Sequence, residues 1–193
     1  MDIPPGALIH QEKPLFILLR GEYEIPSGVT AHSSWGEWLK LPLNGSLPPS
    51  SGDVLYDRFL ATSLRCGVVL IGKQDVEISG AFVTATRFNH SCEPNVHAHW
   101  VPEEQQMYFR TLRQVKEGAE LSICYDSGTL LFPKDTRKQK LLERFRFICN
   151  CVCCGLCTSD SDSRRLGLKS IVEGLAHTIP VQLRIQMVSN DRK

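Results

Sequence analysis

Five of the eight cysteines, Cys149, Cys151, Cys153, Cys154 and Cys157, fall within nine residues. Sulfurs this close in sequence cannot tie distant parts of a fold together. The chain also lacks the cysteine density of a disulfide scaffold. Residues 1–6 carry no basic and apolar leader, so a reducing compartment is the expected setting, and there such a cluster reads as a metal site. Zinc takes four tetrahedral ligands and favours thiolate in structural sites. Cys149-x-Cys151-x-x-Cys154 offers three. The fourth could be local, Cys157, or distant, with Cys92 the obvious candidate. Buried free thiols and a redox pair at Cys154 and Cys157 are the competing readings.

Two further runs could do chemistry. Arg87-Phe88-Asn89-His90-Ser91-Cys92-Glu93-Pro94-Asn95-Val96 is a polar stretch at the end of an apolar one. Taken alone it is a turn fixed by asparagine and stiffened by Pro94. Lys116-Glu117-Gly118-Ala119-Glu120-Leu121-Ser122-Ile123-Cys124-Tyr125-Asp126 is a turn followed by a strand that ends on a tyrosine. A buried tyrosine there needs a partner for its hydroxyl.

The elements that must position these runs read as follows. Residues 6–19 are extended around a polar break. Trp35, Trp38 and Leu39 share one helical face. Residues 44–53 are a loop by composition. Ser51 or Asp53 caps a helix in which Val54, Leu55, Phe59, Leu60 and Leu64 form the apolar face and Gly67 closes it. Strands are expected over 68–71, 77–88, 95–101, 107–112 and 120–125. Thr136 with Gln139 forms a capping box before a stripe of Leu141, Leu142 and Phe145. Residues 158–165 read as a polar linker, and 166–193 as a tail with one short helix. The pattern is α+β, mainly β.

Composition narrows the classes. The 193 residues are 42% hydrophobic and 22% charged with a net charge of +1, which excludes collagen and wholesale disorder. Near-neutral charge argues against direct nucleic-acid binding held by phosphate contacts. The longest apolar run is five residues, 15–19, so no membrane span or membrane partner is expected.

Taken together and in order, the three runs resemble the SET-domain family of protein lysine methyltransferases, and most of all its fungal-type and SET- and MYND-type members. Asn89-His90-Ser91-Cys92-x-Pro94-Asn95 matches the family's NHSC-x-PN motif. Glu117-Gly118-x-Glu120-Leu121-x-Ile123-x-Tyr125 is similar to its G-x-EL-x-I-x-Y motif. Phe145-x-Phe147-x-Cys149-x-Cys151-x-x-Cys154 is similar to its post-SET zinc segment. Ile3-Pro4-Pro5-Gly6-Ala7-Leu8-Ile9 with Glu12-x-Pro14-Leu15 is similar to its early strands.

The resemblance implies a SET (β-clip) fold over residues 1–148, with a variable helical insert at about 20–75. It implies a post-SET cysteine segment at 149–157, followed by a linker and tail at 158–193. It implies S-adenosylmethionine and structural Zn2+ as cofactors. Asn89, His90 and Phe147 then line the cofactor pocket, and Tyr125 is the catalytic residue. Cys92 completes the zinc site with Cys149, Cys151 and Cys154, with Cys157 in reserve. The implied activity is methyl transfer to the lysine of a histone or non-histone protein, in the nucleus or cytoplasm. The family's first, glycine-containing strand has no counterpart, because the chain begins just after its place. The chain therefore reads as N-terminally truncated. The alternative is a catalytically inactive SET-derived module that binds a peptide or partner.

Overall fold

The computed structural model describes residues 1–22, 24–41, 53–156 and 158–178. The expected loop over 44–53 falls almost wholly outside them, as do Ser51, Cys157 and the end of the tail. Among the described residues no helix is long and apolar enough to cross a membrane.

Among the described residues eight short strands make three small sheets. β1 (Leu8–Glu12), β7 (Gln106–Thr111) and β6 (Val96–Val101) form an antiparallel sheet in the order β1-β7-β6. β2 (Phe16–Leu19), β4 (Gln74–Ala81) and β3 (Ser63–Ile71) form a second, in the order β2-β4-β3. β5 (Asn89–His90) and β8 (Ser122–Ile123) pair in parallel across more than thirty residues of chain. Leu64, Cys66, Ile78, Phe82, Val96, Met107, Phe109 and Ile123, contributed by all three sheets or by the turns beside them, make the central core.

Two helices pack on the outside of the second sheet. The expected Trp35/Trp38 helix is α1 (Trp35–Leu39). α2 (Val54–Thr62) is capped by Asp53, whose carboxylate accepts from the backbone N–H groups of Leu55 and Tyr56. Trp38 and Phe59 both pack against Phe16, and Trp38 Nε1 donates to Thr62 Oγ1 at 3.2 Å. Contrary to expectation, Leu64 and Gly67 are not part of this helix. The chain turns straight from Thr62 into β3, so Leu64 and Gly67 belong to the sheet. Gly67 (φ 142°) sits where the β3–β4 register shifts, a bulge that its missing Cβ permits. Val54 and Leu60 are exposed, and the buried face is instead carried by Phe59.

Other expected elements are shorter or longer than the pattern suggests. The strand over 77–88 stops at Ala81, because the Glu12 carboxylate takes the backbone N–H groups of Val83, Thr84 and Ala85 at 2.8, 3.0 and 2.7 Å. Those donors are thereby withdrawn from any ladder, and a 3-10 turn, Ala85–Arg87, follows. The strand over 120–125 shrinks to β8, since β5, the strand it pairs with, is two residues long. The Thr136/Gln139 capping box does not form. α3 (Lys134–Phe145) starts earlier, behind Pro133, and its first N–H is capped from a distance by Asp162 at 2.9 Å. Leu141 and Phe145 are buried but Leu142 is 44% exposed, so the stripe is narrower than the sequence suggests. Residues 158–165 are not a linker: apart from Thr158 they begin the twenty-residue α5 (Ser159–Thr178), held to the body through Asp162 and Arg165. A four-residue helix, α4 (Val152–Gly155), lies between α3 and α5.

Candidate active site and metal centre

The parallel pairing of β5 with β8 creates the site. It sets Asn89 beside Ser122 and His90 beside Ile123 and so brings the NHSC run against the strand that ends on Tyr125. Asn95 locks the pair: its Oδ1 accepts from Ser122 N and its Nδ2 donates to Glu120 O, both at 2.8 Å. Asn89 Nδ2 donates to Glu120 Oε1 at 2.6 Å.

His90 joins the two halves of the site. Tyr125 N–H donates to His90 Nδ1 at 3.1 Å, which leaves the ring proton on Nε2. Nε2 lies 3.4 Å from Cys92 Sγ and donates to it. Burial holds the imidazole neutral, its pKa lowered to about 4, with the Arg137 charge adding to the shift and Asp126 opposing it.

Tyr125 is half-buried among aromatic rings. Its ring centroid is 5.3 Å from His90, 5.1 Å from Phe145 and 6.0 Å from Phe147. The two phenylalanines reach it from either side of Arg146, which adopts a left-handed conformation (φ 61°) at the end of α3. That turn lets residues 145 and 147 face the same ring. The Tyr125 hydroxyl donates to Phe88 O at 2.8 Å, so its oxygen lone pairs stay free to accept. Burial, with the Glu120 charge adding, pushes its pKa up to about 12, so the group is a neutral phenol at ordinary pH. Asn89, Tyr125 and Phe145 form part of the wall of a cavity of about 200 Å³, which Thr62, Ser63, Leu64 and Arg87 also line. That is below the usual volume of a drug-sized ligand pocket, roughly 300–1,000 Å³, and suits a slim chain with a polar end.

Cys92, Cys149, Cys151 and Cys154 converge behind this wall, all four sulfurs within 4.8 Å of one another. Cys92 Sγ is 4.0 Å from Cys149 Sγ and 3.6 Å from Cys154 Sγ. Disulfide sulfurs would be about 2.05 Å apart. A Zn–S bond of about 2.3 Å in a tetrahedron places sulfurs about 3.8 Å apart, so the cluster fits a four-thiolate zinc ion. Burial raises the pKa of Cys92 and lifts Cys149 to about 11. Burial also disfavours the Cys151 thiolate, but backbone N–H groups of Cys92 and Cys154 and neighbouring thiols reverse this, down to about 7. A divalent cation displaces the remaining protons on binding. Cys153 points elsewhere, onto Arg165 Nη2 at 2.9 Å.

Each described site residue singled out in the sequence therefore lies in one of two adjoining clusters. Two residues of consequence are not among those the sequence singles out for the site, although Glu12 belongs to the run similar to the family's early strands. Glu12 positions the segment leading into Asn89, and Arg137 lies fully buried beside the sulfurs. A charge at position 137, one turn before Leu141 on the apolar face of α3, is the cue that could have found the second.

Around Tyr125 stand the Phe88 carbonyl, the phenol oxygen and the aromatic faces of Phe145 and Phe147. Such groups suit a methylsulfonium cation.

Comparison with known proteins agrees with these features. A family model described as the SET domain matches residues 2–126. The histone-lysine N-methyltransferase ATXR4 of Arabidopsis thaliana is 31% identical over 96 residues, 46% of this chain and 29% of that protein. A SET and MYND domain-containing protein of Dictyostelium discoideum is 41% identical over 75 residues, 39% of this chain and 14% of that protein. The histone-lysine N-methyltransferase set5 of Schizosaccharomyces pombe is 28% identical over 157 residues, 81% of this chain and 46% of that protein. The aligned region thus spans under half the length of each of these relatives.

Proposed function

The chain belongs to the SET-domain family, and on that premise we propose that it transfers a methyl group from S-adenosylmethionine to a lysine of a protein substrate. The observation that carries the reading is Tyr125: a neutral phenol on the wall of a narrow cavity, with its proton committed to Phe88 O and its lone pairs free. Relatives named as histone-lysine methyltransferases favour transfer over an inert peptide-binding module.

S-adenosylmethionine, when bound, supplies a methyl group on a positively charged sulfonium. Asn89, His90 and Phe147 hold it, His90 through its ring face and backbone because both ring nitrogens already have protein partners. The Tyr125 oxygen accepts from the substrate amine and fixes its direction of approach. The walls of Thr62, Ser63, Leu64 and Phe145 strip water from the amine and favour its neutral, nucleophilic form. No covalent intermediate with the protein is needed, and most of the rate comes from holding donor and acceptor in line. Cys92, Cys149, Cys151 and Cys154 would hold zinc as a structural ion, and the Cys92–His90–Tyr125 contacts would then tie the backbone of Tyr125 to that centre. The substrate is a histone or another protein, met in the nucleus or cytoplasm.

Calorimetric titration of the zinc-loaded chain with S-adenosylmethionine tests this first, followed by methyl transfer to lysine peptides. One-to-one binding at micromolar affinity and labelled lysine are the expected results. A folded, zinc-containing chain that binds no S-adenosylmethionine would refute the reading.

A further inference from the structure

Arg137 lies on the face of α3 that also carries Leu141 and Phe145, spaced four residues apart, and it is 0% exposed. A guanidinium taken wholly out of water is strongly disfavoured unless charge and hydrogen bonds surround it. Its Nη1 donates to Phe132 O at 2.7 Å and lies 3.6 Å from Asp162 Oδ1. Its Nη2 faces the sulfurs, 3.6 Å from Cys154 and 3.8 Å from Cys153. One end of the fork therefore meets the first turns of α5, and the other meets the four-cysteine cluster.

The charge on that cluster depends on its occupant. Four thiols are neutral and weak acceptors. Four thiolates around Zn2+ carry a net charge of −2 and accept N–H donors strongly. A buried cation 3.6 Å from one of those sulfurs is poorly matched to the first state and well matched to the second. His90 Nε2 supplies a corresponding donor to Cys92 on the opposite side. Asp162 is the carboxylate that pairs with Arg137 Nη1, and it also caps α3 at Lys134 N.

We propose that Arg137 is a positioning residue of the metal centre: its buried guanidinium is counter-ion and N–H donor to the tetrathiolate, acting through Cys154. The role rests on the reading that these four cysteines hold zinc. It goes beyond the methyl-transfer reading, because it concerns what sets the affinity and electronic character of the metal centre rather than what the site transfers. It also accounts for a charged residue on the buried face that Leu141 and Phe145 share.

The test uses the full chain and two probes, zinc in competition with a chromophoric chelator and Co2+ read by its sulfur-to-metal charge-transfer band. Arg137→Gln is expected to weaken zinc binding about 10- to 100-fold, the usual effect of removing a partner that supports a metal ligand. Its cobalt band should move to longer wavelength, because thiolates without N–H donors give up electron density more readily. Leu141→Ala, one turn along the same buried face, should lower thermal stability without moving the band. Asp162→Asn removes the competing carboxylate, so the guanidinium turns further toward sulfur. Zinc affinity should then hold or rise, and the band should shift to shorter wavelength. This partly exposed position also supplies a variant that folds if Arg137→Gln does not.

Zinc affinity and cobalt band both unchanged in Arg137→Gln would overturn the proposal. So would an equal loss of zinc in Asp162→Asn, which would mean that α5 docking, not the guanidinium, supports the site. A wild-type chain that takes up no zinc would instead overturn the metal reading beneath it. That outcome is distinct from zinc uptake without methyl transfer, which would leave Arg137 in its role.

Discussion

Removing one oxygen from Tyr125 separates positioning from folding. In Tyr125→Phe the ring keeps its contacts with His90, Phe145 and Phe147, which lie 5.1–6.0 Å away between centroids. What disappears is the 2.8 Å hydrogen bond to Phe88 O and the oxygen acceptor of a residue that lines the cavity. The first loss is that of one neutral hydrogen bond, about 1 kcal/mol, or roughly 2–4 °C in Tm for a chain of this size. The second is catalytic. A misdirected amine reduces the rate about 100-fold, or roughly 2.7 kcal/mol on the barrier. Binding of S-adenosylmethionine should change only a few-fold, since Asn89, His90 and Phe147 remain. The assay pairs initial rates with a labelled methyl donor at saturating peptide with a thermal melt and a binding titration. A variant whose kcat stays within about threefold of wild type would remove Tyr125 from the mechanism. A variant that melts 15 °C lower would show that the hydroxyl holds the fold, and the rate loss could not then be assigned to positioning.

Four other outcomes follow from the same geometry. The Tyr125 pKa is raised to about 12 in the folded chain, against about 10 unfolded, so the neutral phenol stabilises the fold fully below pH 10. That contribution, on the order of 2 kcal/mol, is lost as pH rises from 10 to 12. Alkaline melts of wild type should show the loss and those of Tyr125→Phe should lack it. Chelating the metal should raise hydrogen exchange over 147–156 and weaken S-adenosylmethionine binding, while β3 and β4 keep their protection; uniform exchange across the chain would contradict a local structural role. Glu12→Gln exchanges a carboxylate that accepts three backbone N–H groups for an amide whose single oxygen can serve two of them, leaving the third facing an NH2 group. It should destabilise the fold by about 2–3 kcal/mol in denaturant titration, with a midpoint equal to wild type counting against it. In Gly80→Ala the new Cβ would sit 2.9 Å from Pro14 Cβ and 3.0 Å from Phe82 Cε2. The variant should lose about 1–3 kcal/mol by forcing β2 and β4 apart, and an unchanged Tm would show that the strands can yield.

Much of the site was legible because its chemistry is written in short, local patterns. Cys149-x-Cys151-x-x-Cys154 carries ligand spacing within one turn-rich segment, and Tyr125 closes a run whose residue types favour a strand. Cys92 was harder to place. It competes with Cys157 on spacing alone, and the family resemblance pointed to it before the geometry set it 57 residues from Cys149 in sequence and 4.0 Å away in space. Strand lengths were misjudged where pairing partners decide them. Residues 120–125 have the composition of a strand, yet only two residues pair, because β5 offers only two. Residues 158–165 have the composition of a linker, yet seven of the eight are helical because Asp162 and Arg165 find partners on α3 and its neighbours.

By itself the sequence determined the family, the residue types of the site and their order, since motifs and ligand spacings are properties of adjacent residues. Only the tertiary structure decided that His90 bridges Tyr125 to Cys92, that Glu12 organises the approach to Asn89, and that Arg137 stands buried against the sulfurs. These are contacts between chain segments far apart in sequence. They exist because burying the three-sheet core forces β5 beside β8, and no local propensity records which distant donor will then meet which acceptor.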